Sequence, residues 1–454
     1  MTALHTQAAN ARARAVVVGL GKSGFSAARY LLAQGFEVAV TDSRAEPPEL
    51  PRLAALGTEL GREITVRRGG FDASVLEGAE LLVVSPGVAP AGSFFEAARA
   101  KGLAVIGDIE LFARAARAPI AGITGTNGKS TVTTLLAQMA ARAGLRIRSG
   151  GNLGEPALDL LDDAAELYIL ELSSFQLETT SSLSLAAAAV LNVTPDHLDR
   201  YRDLEAYAGA KARIYAHCEV AVVNLDDARV AAMVAPARRC LSFSLRADSG
   251  ADYTLMHGDG GQWLARRGQP LLAVSAMRLT GAHNAANALA ALALGEALAV
   301  PLPAMLAELR SFAGLAHRSQ WVADVRGVHY IDDSKGTNVG ATLAAVAGLR
   351  GPLLVILGGD GKGQDFRPLH AAFSGKVRCA LLIGRDARAL GDALAGACDC
   401  RYAAGLEAAV EAAALVAEPG DTVLLSPACA SLDMFRDYAH RGKVFAAAVH
   451  RLTA

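Results

Sequence analysis

The sequence predicts an α/β protein of three domains, each built on a mostly parallel, doubly wound sheet. Three observations predict it. Short apolar runs alternate with helix-patterned segments along nearly the whole chain, the rhythm of strand–helix–strand units in parallel sheets. Glycine-rich turns stand between an apolar run and a helix at Gly19–Gly24 and again at Gly125–Gly128. And 454 residues are more than one ordinary core holds.

Residues 1–107 form the first block. Strands are expected at Val16–Val18, Val38–Val40 and Leu81–Val84. Between the first strand and the first helix lies Gly19-Leu20-Gly21-Lys22-Ser23-Gly24, and Asp42 closes the second strand. This is G-x-G-x-x-G with an acid some way on, the pattern of a Rossmann-like βαβ unit that seats a diphosphate at a helix N-terminus. Read alone, it points to NAD and hydride transfer, with Asp42 on a ribose hydroxyl.

Residues 108–314 form the second block. A strand at Pro119–Ile123 runs into "GITGTNGKST". Glycines let backbone N–H groups close around phosphate oxygens, and the helix N-terminus adds partial positive charge. Lys129 suits the β- and γ-phosphates, and the Ser130 hydroxyl suits Mg²⁺. The usual first glycine of a P-loop would fall at Ile123, so this is a shortened variant. Val132, Leu135, Leu136, Met139 and Ala140 mark one face of the following helix, which Gly144 stops. Further strands are expected at Leu167–Leu170 and Ala188–Val193. Glu171, at the carboxyl end of the first of these, is placed to hold Mg²⁺. "NVTPDHLDRY" adds Asp196, His197 and Asp199. "GAHNAANALAA" puts His283, Asn284 and Asn287 at a helix start, where Asn284 could serve merely as an N-cap. Lys211 alone reads as a solvated helix lysine.

Residues 315–454 form the third block, a second Rossmann-like domain. Its strands are expected at Leu353–Leu357, Ala380–Ile383 and Thr422–Leu425. Three polar turns lie at strand ends or helix starts: "YIDDSKGTNVG" with Asp332, Asp333, Lys335, Thr337 and Asn338, "LGGDGKGQDF" with Asp360 and Lys362, and "LLSPACASLDMF" with Ser426 and Ser431. Three such turns with two lysines suggest a small anionic ligand.

Composition removes several classes. The formal net charge of −1 gives no field for nucleic acid or an anionic membrane. No apolar run reaches membrane-spanning length, and "MTALHTQAANARARA" has no signal-peptide core. The 6 cysteines lack metal-ligand spacing and read as free thiols of a cytoplasmic protein. Two phosphate-type loops in one chain pull apart. A dehydrogenase needs no ATP loop, so the chain must bind two phosphorylated compounds. A regulatory P-loop ATPase is the non-biosynthetic alternative.

In their order, GLGKSG, TDSR, SPGV, GITGTNGKST, GGNLG, LELSSFQLE, NVTPDHLDRY, Lys211, GAHNAANALAA, AHR, DDSKGTN, GGDGKG and SPACASLD resemble the Mur ligases of peptidoglycan synthesis. LELSSFQLE, DDSKGTNVGAT and SPACASLDMF are most similar to the branch that adds D-glutamate. The resemblance implies an ATP-dependent ligase. It would join D-glutamate to UDP-MurNAc-L-Ala through an acyl phosphate, with two Mg²⁺ ions, as a cytoplasmic monomer without nucleic-acid or membrane partners. It implies three ligand sites in chain order. Gly21, Lys22, Ser23, Asp42, Arg44, Ser85, Pro86, Gly87 and Asn152 would bind the UDP-sugar, Asp42 and Arg44 beside the uracil. Gly125, Thr126, Asn127, Gly128, Lys129, Ser130, Thr131, Asn284, Asn287, Arg318 and Asp333 would bind ATP. Lys335, Thr337, Lys362, Ser431, Leu432 and Tyr438 would surround D-glutamate. Ser130 and Glu171 would hold one Mg²⁺, and His197 and Lys211 the other, with Lys211 carbamylated by CO₂. Lys129, His197 and Lys211 are the implied catalytic residues.

Overall fold

A computed structural model of the chain describes residues 13–234, 239–258, 260–279, 281–349 and 351–452. Residues 1–12, part of the stretch read for a signal peptide, lie outside the described residues. The architecture is three-domain α/β with mostly parallel sheets. The chain divides into two compact units. Of the described residues, those within 13–124, 144–188 and 210–220 make up one, and those within 125–143, 189–209 and 221–452 the other.

In the first unit, five parallel strands lie in the order Thr65–Arg68, Glu37–Asp42, Arg14–Val18, Leu81–Val84, Ala104–Gly107. Val16 and Val18 on the first strand and Leu82 and Val84 on the fourth join Phe94 and Phe95 in one buried cluster. The strands read as continuous apolar runs because helices cover both faces. The order sets the first strand beside the fourth, the switch point where such sheets open a crevice at their carboxyl ends. Gly24 is fixed by packing: a Cβ there would lie 1.9 Å from the Gly19 carbonyl oxygen. The same unit holds the parallel strands Ile120–Thr124, Leu167–Glu171 and Ile147–Gly151. Ile123 pairs with Glu171 in register, so the acid ends the strand next to the one that feeds the second loop.

The strand expected at Ala188–Val193 is observed at Leu185–Val190. Its apolar run continues to Val193, but the last residues are drawn out of the ladder by other bonds. The Val193 amide donates to Asp227 Oδ2 at 2.7 Å, and the Asn192 carbonyl accepts from Thr126.

In the second unit, the helix Lys129–Arg142 buries Val132, Leu135, Leu136, Met139 and Ala140, the face read from its spacing. It packs against the helices Ala282–Ala297 and Leu302–Ser311. The strands Tyr253–Gly258, Gly261–Arg266 and Gln269–Ala273 form an antiparallel meander the sequence reading did not foresee. A signal was present: Arg267 and Gly268, between two of these strands, both have positive φ (47° and 77°), as a two-residue hairpin turn of this twist requires. The six-stranded sheet runs Gln320–Val325, Val328–Asp332, Thr422–Leu425, Leu353–Gly358, Val377–Ile383, Asp399–Tyr402. Only its first pair is antiparallel. Leu354 and Ile356 enter one core cluster with Phe445, while Leu353, Val355 and Leu357 enter another with Phe373. This alternation shows both faces covered, as a doubly wound sheet demands.

Candidate active site

The amino-terminal loop opens a cavity of about 470 Å³, within the range of small-ligand clefts. All nine residues expected at the UDP-sugar line it: Gly21, Lys22, Ser23, Asp42, Arg44, Ser85, Pro86, Gly87 and Asn152. Gly21 is the N-cap of the helix Lys22–Ala33, so that helix end faces the cavity mouth. Ser85 Oγ donates to the Gly19 carbonyl at 2.7 Å and ties the first strand's loop to the fourth's. Asp42 is buried, and its oxygens accept from the Leu20 amide and from the Arg44 amide, Nε and Nη2. Burial pushes its carboxyl up, but the bonds from Arg44 and Leu20 outweigh that and hold it below the usual carboxylate value. Its acceptor capacity is thus used within the protein, so reading a base directly would require releasing one of these bonds. Ser43, Gly154, Pro156 and Gln176 line the same cavity and were not singled out from sequence.

The second loop is held by a strand-end segment of the same unit. The Thr126 hydroxyl donates to the Thr194 carbonyl and accepts from the Thr194 amide. The Asn127 amide donates to Asn192 Oδ1 at 2.8 Å, and Asn192 Nδ2 donates to the Asn127 carbonyl. Gly128 has φ 87°, and a Cβ there would sit 2.4 Å from Asn287 Oδ1. Lys129 Nζ curls back to the Gly125 and Thr126 carbonyls at 2.8 and 2.9 Å. Its ammonium therefore stands over the loop's own concavity. Ser130 is buried, and its Oγ accepts from Arg318 Nη2 at 2.6 Å.

Asn127, Gly128, Thr131, Asn284, Asn287, Arg318 and Asp333 line one cavity beside this loop. Gly125, Thr126, Lys129 and Ser130 lie in the loop without lining that cavity. Lys335, expected at D-glutamate, lines it as well, as do Asn192, His283 and Ser319. Asn284 does not cap its helix: the N-cap is Gly281, and Asn284 sits in the first turn with its Oδ1 accepting from Asn287 Nδ2. The glycine takes the cap because the chain enters there at φ 94°. Asp333 is buried, and burial pushes its carboxyl up to about 7 against the hydrogen bonds from Ser426 and Ser319 and the charge of Arg318.

Three loops meet at the carboxyl ends of adjacent strands of the six-stranded sheet. Asp360 and Ala430 exchange backbone hydrogen bonds, joining the loop of Lys362 to that of Ser431. Arg441, fully buried, donates to Ser334 Oγ, the Ser334 carbonyl and the Cys429 carbonyl, joining the loop of Lys335 to the same stretch. Lys335 Nζ lies 3.7 Å from the Tyr438 ring centroid, a cation–π contact at the start of the helix Tyr438–Arg451. Lys362 Nζ pairs with Asp196, whose other oxygen accepts from Asn338 Nδ2. Thr337 follows Lys335 in its turn, and Leu432 is 73% exposed beside Ser431. Sequence reasoning missed Arg441 and Asn192, whose roles depend on partners distant in the chain.

For the expected metal ligands the donor chemistry is the available test. Ser130 and Glu171 are buried oxygen donors of the kind hard Mg²⁺ takes. Asn152 Nδ2 donates to Glu171 Oε1 at 2.6 Å and orients it. Lys211 is 1% exposed, which corrects its reading as a solvated lysine. An ammonium so buried loses its hydration, whereas a carbamate would supply oxygens. His197 has φ 55° and is 3.9 Å from Asp196. Among the described residues no group of three or more His, Cys, Asp and Glu side chains could hold a metal, so any metal here needs the hydroxyl and lysine donors too.

Three family models match the chain in succession. They describe a MurD-like Mur ligase N-terminal domain over residues 13–107, a Mur ligase middle domain over 123–295 and a Mur ligase glutamate ligase domain over 317–429. The chain is 51% identical over 443 residues to the UDP-N-acetylmuramoylalanine–D-glutamate ligase of Nitrosococcus oceani, covering 97% of each. It is 50% identical to that of Pseudomonas aeruginosa, covering 96% of this chain and 98% of the relative. Among solved structures it is similar to a UDP-N-acetylmuramate-alanine ligase of Thermotoga maritima, with TM-score 0.59 and 18% identity over 97% of this chain and 99% of the other. FolC of E. coli is also similar, with TM-score 0.57 and 18% identity over 76% of this chain and 92% of that one. At these identities the structures attest the fold.

Proposed function

The chain belongs to the Mur ligase family, and from that premise we infer that it joins D-glutamate to UDP-N-acetylmuramoyl-L-alanine. ATP is split to ADP and phosphate, and the product is a peptidoglycan precursor. The observation that carries the reading is the pair of phosphate-type loops, each with its own lined cavity, in a chain so similar to ligases of that name. A hydride-transferring enzyme would leave the second loop without use. We further propose domain boundaries of 1–107, 108–314 and 315–454, which fit the spans of the three family matches. A monomer in the cytoplasm belongs to the same proposal, and no described helix is long and apolar enough to cross a membrane.

A carboxylate acylates poorly because its leaving group would be oxide. Transfer of the γ-phosphoryl group gives an acyl phosphate, which the amine of D-glutamate attacks. The obstacle is electrostatic: a carboxylate meeting a triphosphate is opposed by about 4 kcal/mol per charge pair at ~4 Å and an effective dielectric of ~20. Lys129 answers with a positive charge held over the loop, where it can exchange a carbonyl for a phosphate oxygen. The loop's amides and the start of the helix Lys129–Arg142 add donors. Mg²⁺, held by Ser130 and Glu171 and by His197 and a carbamylated Lys211, would supply charge neutralisation and phosphate orientation. Asn284, Asn287, Arg318 and Asp333 would hold the nucleoside. Lys335, Thr337, Lys362, Ser431, Leu432 and Tyr438 would hold D-glutamate, and the Lys362–Asp196 pair must then open or share its ammonium.

The test is phosphate release with ATP, UDP-MurNAc-L-Ala and a panel of amino acids. Release that depends on both the sugar nucleotide and D-glutamate is expected. Equal rates with L- and D-glutamate would sink the acceptor assignment, and release without the sugar nucleotide would favour a plain ATPase.

A further inference from the structure

Attack on an acyl phosphate needs a neutral amine, while D-glutamate arrives as an ammonium. One histidine near the loops assigned to D-glutamate is arranged to take that proton. His317 Nδ1 lies 2.6 Å from Asp332 Oδ2. Asp332 is 1% exposed and its other oxygen accepts from the Ser334 amide at 2.8 Å. A carboxylate so placed fixes the imidazole with its proton on Nδ1 and stabilises the imidazolium once it forms. Nε2 has no hydrogen-bond partner among the described residues, and 14% of the side chain is exposed.

Two further observations concern the same pair. His317 holds φ 62° and Ser319 φ 48°, conformations that residues other than glycine adopt at a cost. Gly442, on the helix behind, leaves the room: a Cβ there would lie 2.1 Å from His317 Nδ1 and 2.7 Å from Asp332 Oδ2. The His317 carbonyl accepts the Lys335 amide at 3.1 Å, and its ring centroid is 6.4 Å from that of Tyr438. The pair therefore stands against Lys335 and Tyr438, two of the six residues expected to meet D-glutamate.

We propose that His317 is the catalytic base for the incoming amine and that Asp332 is its positioning residue. The inference rests on the ligase reading above. The ammonium of D-glutamate gives one proton to Nε2 and becomes an amine. Its lone pair forms the C–N bond at the acyl carbon. The carbon–oxygen bond to phosphate breaks, its electron pair leaves with phosphate, and the nitrogen's second proton departs with it as hydrogen phosphate. The imidazolium then returns its proton to solvent.

Hydroxylamine separates this role from a structural one, because it is already neutral near pH 7 and captures the acyl phosphate as a hydroxamate. The full-length protein is assayed with ATP, Mg²⁺ and UDP-MurNAc-L-Ala, with either D-glutamate or hydroxylamine. His317→Gln is expected to lose about 100-fold in kcat for amide formation while hydroxamate formation stays within about threefold. Asp332→Asn should show the same selective loss, smaller in size, with KM for D-glutamate little changed. Equal losses with both nucleophiles, or full amide formation by His317→Gln, would overturn the proposal. If the unaltered chain makes neither product, the ligase reading itself fails. If it makes hydroxamate but no amide, the D-glutamate assignment fails and the role of His317 with it.

Discussion

The backbone amide of Leu20 donates to Asp42 Oδ2 at 2.6 Å, so the first phosphate-type loop is pinned by the acid that ends the neighbouring strand. Arg44 clasps the same carboxylate through its amide and side chain. Asp42→Ala strips the buried Leu20 amide of its acceptor, which costs about 1–3 kcal/mol. Thermal unfolding should show that loss. In steady-state assays KM for UDP-MurNAc-L-Ala should rise while KM for ATP stays unchanged. An equal rise in both would argue that Asp42 supports the fold at large and not the proposed sugar-nucleotide site.

Lys129→Met keeps the stem and removes the charge. Phosphate release should fall by about two to three orders of magnitude, the scale of losing one preorganised donor to a transferring group. UDP-MurNAc-L-Ala binding, measured by calorimetry without ATP, should be untouched.

Asp333 gives a pH signature. Burial pushes its carboxyl up to about 7, so between the ordinary value of ~4 and that point the folded protein keeps a proton the unfolded chain releases. Stability from this group is therefore lost as pH rises through that window. Asp42 behaves oppositely: held below the usual value, it contributes above ~4 and its contribution is lost as pH falls. Asp333→Asn cannot titrate. Relative to the unaltered chain its melting temperature should gain between about pH 4 and about pH 7 and level off above that. A constant difference across that range would refute the assignment.

Lys211→Ala should lose at least about 100-fold in activity if the lysine must become a carbamate to provide oxygen ligands. Short-chain carboxylates added to the variant should restore part of it. Undiminished activity without them would rule the role out. The unaltered chain fed ¹³C-labelled CO₂ should show a carbamate resonance that the variant lacks.

Central parallel strands were legible where each is a short apolar run bounded by turn residues, whereas the polar edge strands Thr65–Arg68 and Asp399–Tyr402 carry no such run and were not read. Leu81–Val84 and Thr422–Leu425 fall where the sequence sets them. The end of Leu185–Val190 was not, since apolar residues continue past it and only long-range bonds to Thr126 and Asp227 decide where pairing stops. The antiparallel meander at Tyr253–Ala273 lies in a stretch without site motifs, marked in the sequence by Asp-Gly at 259–260 and Arg-Gly at 267–268. That the nine residues expected at the sugar nucleotide line one cavity follows from their motifs sitting at strand ends. Burial was the harder quantity. Lys211 looks like a surface lysine in its helix, and only tertiary packing shows it enclosed. Arg441 and Asn192 escaped for the same reason, their partners lying far off in sequence.

Lys335 lines the cavity beside the nucleotide loop, and its ammonium also rests on the Tyr438 ring at the opening of the last helix. On the proposed function, one side chain would thus belong to two binding events. If nucleotide binding changes the position of that ammonium, it changes what an amino-acid acceptor meets, and the acceptor changes what the nucleotide meets. Thermodynamic linkage makes the two effects equal: whatever factor ATP applies to the affinity for D-glutamate, D-glutamate applies to the affinity for ATP.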